Sequence, residues 1–421
     1  MTAVYKFGGA SVATAENIKN VANIIVANKT QNLIIIISAI GKTTNALEKV
    51  AETFYSGNAT KALALFNEVK QTHQQLAAQL IADSNIYLPK LLDFYTEAEW
   101  LLHDKPVRNY DYYYDQIVCL GELLSTTIIS CYLTSLQLNH TWLDIRDIIK
   151  TDDNFRDANI IWTDTEALVL KNITAEINEA KIIITQGFIG CTYHNESTTL
   201  GREGSDYTAA VLANITNAQS LTIWKDVAGV MNADPKKNPE AVLITQLNYN
   251  EVIEMSFYGA QIIHPKTIKP LQNKNIPLHV KCFLNTTLPG TTIHNKPVHN
   301  LPPIKILMEN QLLITLKSKD FSFISEGATN TIYNMLNTLK LKPNLTQNSA
   351  ISMLLCMDDR PERIEQFALD ASVLFDVEVT KHLNLITIRH YTQALLNAEI
   401  HTKNGILLQQ SPSMVQCLYR L

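Results

Sequence analysis

Three segments of this chain gather residues that could handle a phosphoryl group or grip a carboxylate. The first is Lys6-Phe7-Gly8-Gly9-Ala10-Ser11. A lysine ends an apolar strand, two glycines let the backbone pass close to a ligand, and a helix begins just beyond with its N-terminus available for phosphate. The lysine would offset charge spreading onto a phosphoryl group in flight. Taken alone, the segment fits a plain strand–turn–helix with an exposed lysine equally well. The second is Thr199-Leu200-Gly201-Arg202-Glu203-Gly204-Ser205-Asp206-Tyr207-Thr208. Backbone N–H groups there could bind phosphate, Arg202 could hold a carboxylate through two parallel hydrogen bonds, and Asp206 could orient a lysine or the acceptor. A surface loop with a capped helix explains less well why Gly, Arg, Ser and Asp concentrate just before the apolar run Ala209 to Ala213. The third runs from Trp224-Lys225-Asp226 to Asp234-Pro235, a strand end followed by turn residues. Ligands of doubly wound sheets bind beyond such strand ends, although by itself this segment reads better as an ordinary loop.

These segments need a framework, and the rest of the chain supplies one. Ala3 to Phe7, Leu33 to Ile37, Ile182 to Thr185 and Leu221 to Trp224 are short, continuous apolar runs of strand length. A helix is expected from about Thr14 to Asn28, with Ile18, Val21 and Ile25 on one face. Unbroken apolar strands alternating with helices imply an α/β fold, a mainly parallel sheet covered on both faces. Residues 46–135 read as largely helical, an elaboration at the substrate side. The pattern changes near Pro302-Pro303. Beyond it, strands are expected at Leu312 to Lys317, Ile351 to Met357, Val377 to Thr380, Leu385 to Ile388 and Gly405 to Leu408, with helices around Ile332 to Leu339 and after Pro361.

Composition narrows the function. The 421 residues carry a net charge of −5, are 46% hydrophobic and 18% charged, and at about 100–200 residues per domain suggest two or three domains. Nothing in that balance attracts nucleic acid or an anionic membrane, so a phosphate site must be built locally. The six cysteines are scattered with no C-x-x-C pair, which suggests neither a zinc site nor a disulfide framework. The start, MTAVYKFGG, lacks a basic stretch followed by a long apolar one, and Leu33 to Ile37 is the longest apolar run. A cytoplasmic location is therefore expected. Gly41-Lys42-Thr43 mimics the end of a P-loop, but Ile36 stands where that motif needs glycine, and G-x-G-x-x-G is absent.

Together, the segments resemble the aspartate kinases, members of the amino-acid-kinase family that carry C-terminal ACT domains. The likeness rests on KFGGASV at 6–12, Ser38 to Asn45, Gly121-Glu122-Leu123-Leu124-Ser125, Thr151 to Phe155, Gln186 to Gly190, TTLGREGSDYTA from Thr198 to Ala209, Trp224 to Val230 with Asp234-Pro235, and Tyr258-Gly259-Ala260 to His264-Pro265. It runs in order through about residues 4–292. The resemblance implies an amino-acid-kinase catalytic domain over 1–296 and a tandem ACT-like regulatory region over 300–421, its second unit abbreviated. It implies ATP and Mg²⁺ as cofactors, the metal held mainly through ATP phosphates, and L-aspartate as acceptor. Lys6 and Asp206 would be catalytic, and Thr44, Glu122, Phe188, Arg202 and Ser205 would bind aspartate. Lys6, Gly8, Gly9, Lys225, Asp226, Met231, Lys236 and Gln261 would face the nucleotide.

This chain departs from the family on that nucleotide side: Ala10, Lys225, Met231, Lys236 and Gln261 stand where threonine, threonine, tyrosine, arginine and lysine are usual. In the effector loop, Asn344, Asn348 and Ser349 would contact an inhibitory amino acid, threonine or lysine. Asn344 replaces an aspartate of lysine-sensitive members, which weakens the case for lysine. Nothing after Tyr419 could form a homoserine dehydrogenase, so a monofunctional enzyme is implied, forming a homodimer or larger homo-oligomer through its ACT units. The competing readings are another amino-acid kinase of glutamate type and a non-catalytic amino-acid-binding regulator.

Overall fold

The computed structural model describes residues 2–420. Its chain divides into two compact units, Met1–Val230 with Leu243–Ile253 and Gln261–Val298, and Met231–Val242 with Glu254–Ala260 and His299–Leu421.

The first unit is built on strands β1 (Thr2–Phe7), β2 (Asn32–Ile37), β3 (Thr141–Leu143), β4 (Ile182–Gln186), β5 (Ile189–Cys191), β6 (Ser197–Thr199), β7 (Ser220–Lys225), β8 (Gln246–Asn248), β9 (Leu278–Cys282) and β10 (Thr291–His294). Eight of them form one sheet in the order β3-β4-β2-β1-β7-β9-β10-β8, parallel throughout except where β9 meets β10; β5 and β6 make a separate hairpin. The expected mainly parallel sheet is thus present. The apolar runs occupy its centre because both faces are covered: Leu33 to Ile37 are fully buried, and so are Ile183 and Ile184.

The helices are α1 (Ala15–Ala27), α2 (Thr43–Tyr55), α3 (Ala59–Leu80), α4 (Leu88–His103), α5 (Tyr110–Val118), α6 (Leu120–Ser135), α7 (Trp162–Leu168), α8 (Thr174–Ala180), α9 (Gly204–Ile215), α10 (Tyr249–Phe257) and α11 (Pro265–Asn273). Thr14 caps α1 by accepting the Asn17 N–H, and Ile18, Val21 and Ile25 form its buried face. Strand alternation turns Lys6 toward α9, where it meets Asp206. Ala3 and Tyr5 face the other way, toward Ile24 and Ala27 of α1. Residues 110–135 are together long and apolar enough to cross a membrane, a feature that counting unbroken apolar runs overlooks. In the folded chain the most apolar window of that stretch is 94% buried by protein. All six cysteines are free and buried.

The second unit holds β11 (Ile304–Ser318), α12 (Glu326–Thr338), β12 (Leu345–Asn348), β13 (Ser352–Asp358), α13 (Pro361–Ala371), β14 (Phe375–Arg389), α14 (Gln393–Glu399), β15 (Gly405–Ser411) and β16 (Met414–Arg420). One six-stranded antiparallel sheet, β12-β13-β11-β14-β16-β15, carries them all. The two strands expected at Val377 to Thr380 and Leu385 to Ile388 are a single 15-residue strand, β14. The polar Lys381-His382 pair between them is no break. His382 takes φ 61°, and the register with β11 slips between Met308 and Leu313, so the strand passes through irregularities and continues. Ile332, Leu336, Ile364 and Phe367 of α12 and α13 pack on Leu312, Ile314, Leu316, Met353 and Leu355. A smaller cluster seats Leu396 of α14 and the following Ile400 on Ile386, Ile388, Val415 and Cys417.

Candidate active site

A cleft of about 460 Å³ in the first unit is lined by Lys6, Thr44, Glu122, Phe188, Arg202, Ser205 and Asp206, which the sequence singled out, together with Ser38, Tyr114, Arg156, Gly201, Glu203 and Gly204. Its parts come from the end of β1, the turn after β2, α2, α5, α6, the loop between β3 and α7, the loop after β4, the loop after β6 and the start of α9. Lys6 Nζ lies 2.6 Å from Asp206 Oδ1, with the side chains only 12% and 5% exposed. A cation sheltered this far from water keeps most of its field for a ligand beside it.

Gly9 shows why the first motif needs its glycines. A Cβ there would stand 2.8 Å from the Ala39 carbonyl oxygen and 3.0 Å from that of Gly41, so the turn after β1 packs directly on the turn after β2. Ser11 Oγ donates to the Trp224 carbonyl at 3.3 Å and ties the same turn to β7. Close backbone beside a sheltered lysine is an arrangement that can accommodate an anionic group.

Glu122, on the first turn of α6, is buried. Its Oε1 accepts the Ala39 N–H at 3.2 Å, while Oε2 is buried with no hydrogen-bond partner. Burial pushes its carboxyl up to about 8, against the pull of the Ala39 N–H and of Lys6. One turn along α6, Ser125 Oγ donates to the Ser38 carbonyl at 2.8 Å, so the helix fixes the Ser38-Ala39 turn twice. An acid with an unpartnered oxygen in a cleft is suited to receive an ammonium group.

Arg202 is exposed and has no ion-pair partner among the described residues. Its loop is held by Glu203, which accepts the His264 N–H at 2.7 Å, and by the Leu200 N–H donating to the Phe188 carbonyl at 2.8 Å. The Phe188 N–H in turn donates to Thr208 Oγ1 at 3.0 Å. Three non-glycine residues of the lining hold left-handed backbone: Arg156 at φ 71°, Phe188 at 71° and Glu203 at 55°. Such strain collects where a side chain must point into a site. Sequence reasoning had no signal for it, and it overlooked Ser38, Tyr114, Arg156 and Glu203 as lining residues. Asp115 was missed as well. Fully buried behind the cleft, it accepts the Arg156 N–H at 3.0 Å, the Thr199 N–H at 2.8 Å and the Thr199 hydroxyl at 2.7 Å. Burial raises it to about 7 despite those donors. The dense run Tyr110-Asp111-Tyr112-Tyr113-Tyr114-Asp115 was the available clue.

Gly8, Gly9, Lys225, Asp226 and Gln261 belong to the same unit but are not among the residues lining the cleft. Lys225 Nζ donates to the Ile262 carbonyl at 2.6 Å; Asp226 and Gln261 are exposed. Met231 and Lys236 fall within the second unit. There, Asn344 Nδ2 donates to Gln311 Oε1 at 2.8 Å and to Asp358 Oδ1 at 2.9 Å. An aspartate at 344 would set a second carboxylate against Asp358, so the amide is the residue this network accepts. Asn348 and Ser349 are at the far end of β12, where Ser349 meets Ser352 in the turn to β13.

Residues 1–282 match the model of the amino acid kinase family. The chain is 34% identical over 298 residues to a bifunctional aspartokinase/homoserine dehydrogenase 1 of Arabidopsis thaliana, covering 69% of this chain and 32% of that protein. It spans about a third of the length of the plant bifunctional relatives it matches. Lysine-sensitive aspartokinase 3 of Escherichia coli is 28% identical over 395 residues, 91% of this chain and 86% of that one. Two solved structures of Escherichia coli aspartokinase III are each 26% identical, covering all 100% of this chain and 96% of theirs. The one in complex with aspartate and ADP has a TM-score of 0.82, and the one in complex with lysine and aspartate 0.81. With a sheltered lysine–aspartate pair where β1 of a mainly parallel sheet ends beside the start of α9, and the family match running through the larger part of its length, this chain belongs to the amino acid kinase family.

Proposed function

We propose that the chain is an aspartate kinase, forming 4-phospho-L-aspartate from L-aspartate and ATP as an early step of lysine, threonine and methionine biosynthesis. The observation that carries this reading is the convergence in one cleft of three complementary groups: the Lys6–Asp206 pair, the unpartnered Glu122 oxygen and the free Arg202 guanidinium. An amino acid with a second carboxylate has one group for each: its ammonium for Glu122, its α-carboxylate for Arg202, and its reacting carboxylate beside Lys6. ATP supplies the phosphoryl group, with Mg²⁺ carried mainly on its phosphates. Lys6 offsets the charge spread over the group in transfer, Asp206 fixes Lys6, and Phe188, Thr44 and Ser205 shape the acceptor pocket. Lys225, Asp226 and Gln261 are assigned to the nucleotide.

In this reading residues 1–296 form the catalytic domain and 300–421 an ACT-like regulatory region. Its effector site lies near Asn344, Asn348, Ser349 and the start of α12, and the enzyme works in the cytoplasm as a homo-oligomer. A coupled ADP-release assay tests the whole reading. Aspartate should support turnover and glutamate should not, and lysine or threonine at millimolar levels should inhibit. Turnover with glutamate alone makes this a glutamate-type kinase, and no turnover with either acceptor makes it a non-catalytic binding protein. Inhibition by neither amino acid removes the effector site and leaves the kinase assignment standing. The same assay measures Arg202: Arg202→Lys keeps the charge but loses the planar fork. It should raise KM for aspartate about tenfold while KM for ATP changes less than about twofold. A change confined to ATP would move Arg202 to the nucleotide side.

A further inference from the structure

The acceptor cleft contains a second guanidinium that the roles above leave unused. Arg156 lines it, in the loop between β3 and α7. Its guanidinium carbon sits 4.4 Å from the ring centre of Tyr114, another lining residue, and 5.5 Å from that of Tyr110. It is paired with Asp111 at 3.2 Å and with Glu48 at 3.8 Å. Both pairs are at least one-third exposed on each side; such pairs are weak and exchange readily for a better-placed anion. Glu48 lies one turn beyond Thr44 on α2, and Tyr114 is on α5, which places Arg156 on the α2–α5 wall of the cleft.

The backbone beneath this side chain is held in an unfavourable state. Arg156 has φ 71°, a region that glycine enters freely and an arginine does not. The conformation is enforced from behind by Asp115, which accepts the Arg156 N–H and the Thr199 N–H together. It is enforced from the front by Gly201, φ 74°, where a Cβ would come within 2.5 Å of Asp157 Oδ1 and 3.3 Å of the Arg156 carbonyl oxygen. The loops that present Arg156 and Arg202 are therefore packed as one assembly. A purely structural residue at this position would be relieved by glycine. Strain kept at an arginine facing a ligand cleft argues for use of its side chain.

We propose that Arg156 is a specificity-determining residue, a second cation that joins Arg202 on the non-reacting carboxylate of the acceptor. It exchanges Asp111 and Glu48 for that carboxylate when the substrate enters. The proposal rests on the aspartate-kinase reading and specifies how that site selects a dicarboxylic amino acid over one with a neutral α-group. The test uses the full chain with two acceptors, L-aspartate and its α-amide, which keeps the side-chain carboxylate but loses the α-carboxylate. Arg156→Gly removes the guanidinium and suits the backbone angle. It should raise KM for aspartate about tenfold, and the preference in kcat/KM for aspartate over the α-amide should fall by about the same factor, the value of one charge-assisted contact. Arg156→Lys, which keeps both side-chain bulk and charge, should fall between wild type and the glycine variant, and its preference ratio is the one to read should the glycine variant fold poorly. A variant that loses activity equally toward both acceptors has lost only structure, and one with unchanged KM never met the substrate; either result overturns the proposal. If wild type itself fails to phosphorylate aspartate, the reading beneath the proposal falls first, and the two failures are told apart by that control.

Discussion

Lys6→Met will lower kcat by about a hundredfold or more and leave the Kd for aspartate within about threefold. Lys6 is 2.6 Å from Asp206 and nearly closed off from water. Its charge is therefore delivered to a neighbouring oxygen with little screening, and methionine replaces that charge with an apolar chain of similar length. The substitution also strands Asp206 as a buried, unpaired carboxylate. Removing one partner of a buried pair costs about 3–5 kcal/mol, so the single variant should melt earlier than wild type. Adding Asp206→Asn removes the stranded charge. The double variant should regain much of the lost thermal stability and none of the lost rate. Single-turnover kinetics together with thermal melts separate the two effects. A Lys6→Met enzyme with near-normal kcat would take Lys6 out of the reacting centre.

The second large effect concerns Glu122 and depends on pH. Burial holds its carboxyl up at about 8 in the folded chain, so near pH 7 the free enzyme carries it mostly protonated. An ammonium is attracted to the ionised form. KM for aspartate should therefore fall about 25-fold as pH rises from about 6.5 to 8.5, most steeply at the acid end, as expected for binding that requires one deprotonated group. Glu122→Gln should abolish that slope and raise KM at pH 8.5 about 10²-fold, with kcat less affected, because a buried charge partner has been lost. Stability moves the opposite way. An unfolded glutamate ionises near 4.5 and the folded one near 8. Between those values folding takes up a proton, so this group's contribution to stability declines as pH rises through that window. Glu122→Gln should melt later than wild type at pH 8.5 and much like it at pH 4.5. A pH slope that survives in the variant would show that another group titrates.

The framework of the first unit was legible because its signals are local. Unbroken apolar runs such as Leu33 to Ile37 can only be interior strands, and Thr14 before Ile18, Val21 and Ile25 marks a helix start. Of the seven cleft residues singled out in the sequence, Lys6, Arg202, Ser205 and Asp206 were legible because they crowd with glycines at strand and helix ends, whereas Thr44, Glu122 and Phe188 came only from the resemblance to the aspartate kinases. Asp115 and Arg156 were legible in neither way. Each matters through backbone geometry and through partners distant in sequence, as when Asp115 accepts from Thr199, and neither relation leaves a trace in spacing. The second unit was legible in α12 and α13 but not in α14, nor in its strand count. A polar pair such as Lys381-His382 looks like a turn on paper, and it is the pairing with β11 on either side, at Thr380 and Leu383, that makes one strand of the two. Nor does linear reading reveal that Met231–Val242 and Glu254–Ala260 belong with residues beyond 299.

The two 15-residue strands β11 and β14 also decide how the second unit can be taken apart. They lie side by side at the centre of its sheet, and each runs through both halves. No cut in the chain between residues 304 and 389 separates one half from the other without splitting a strand or parting this pair. A fragment that keeps β14 but loses β11 would leave a long row of unpaired backbone groups along a strand whose second half is almost wholly buried, the kind of edge that recruits other chains. Both halves must then be made, kept and lost together, and a proteolytic nick inside β11 or β14 would open that edge to pairing with other chains.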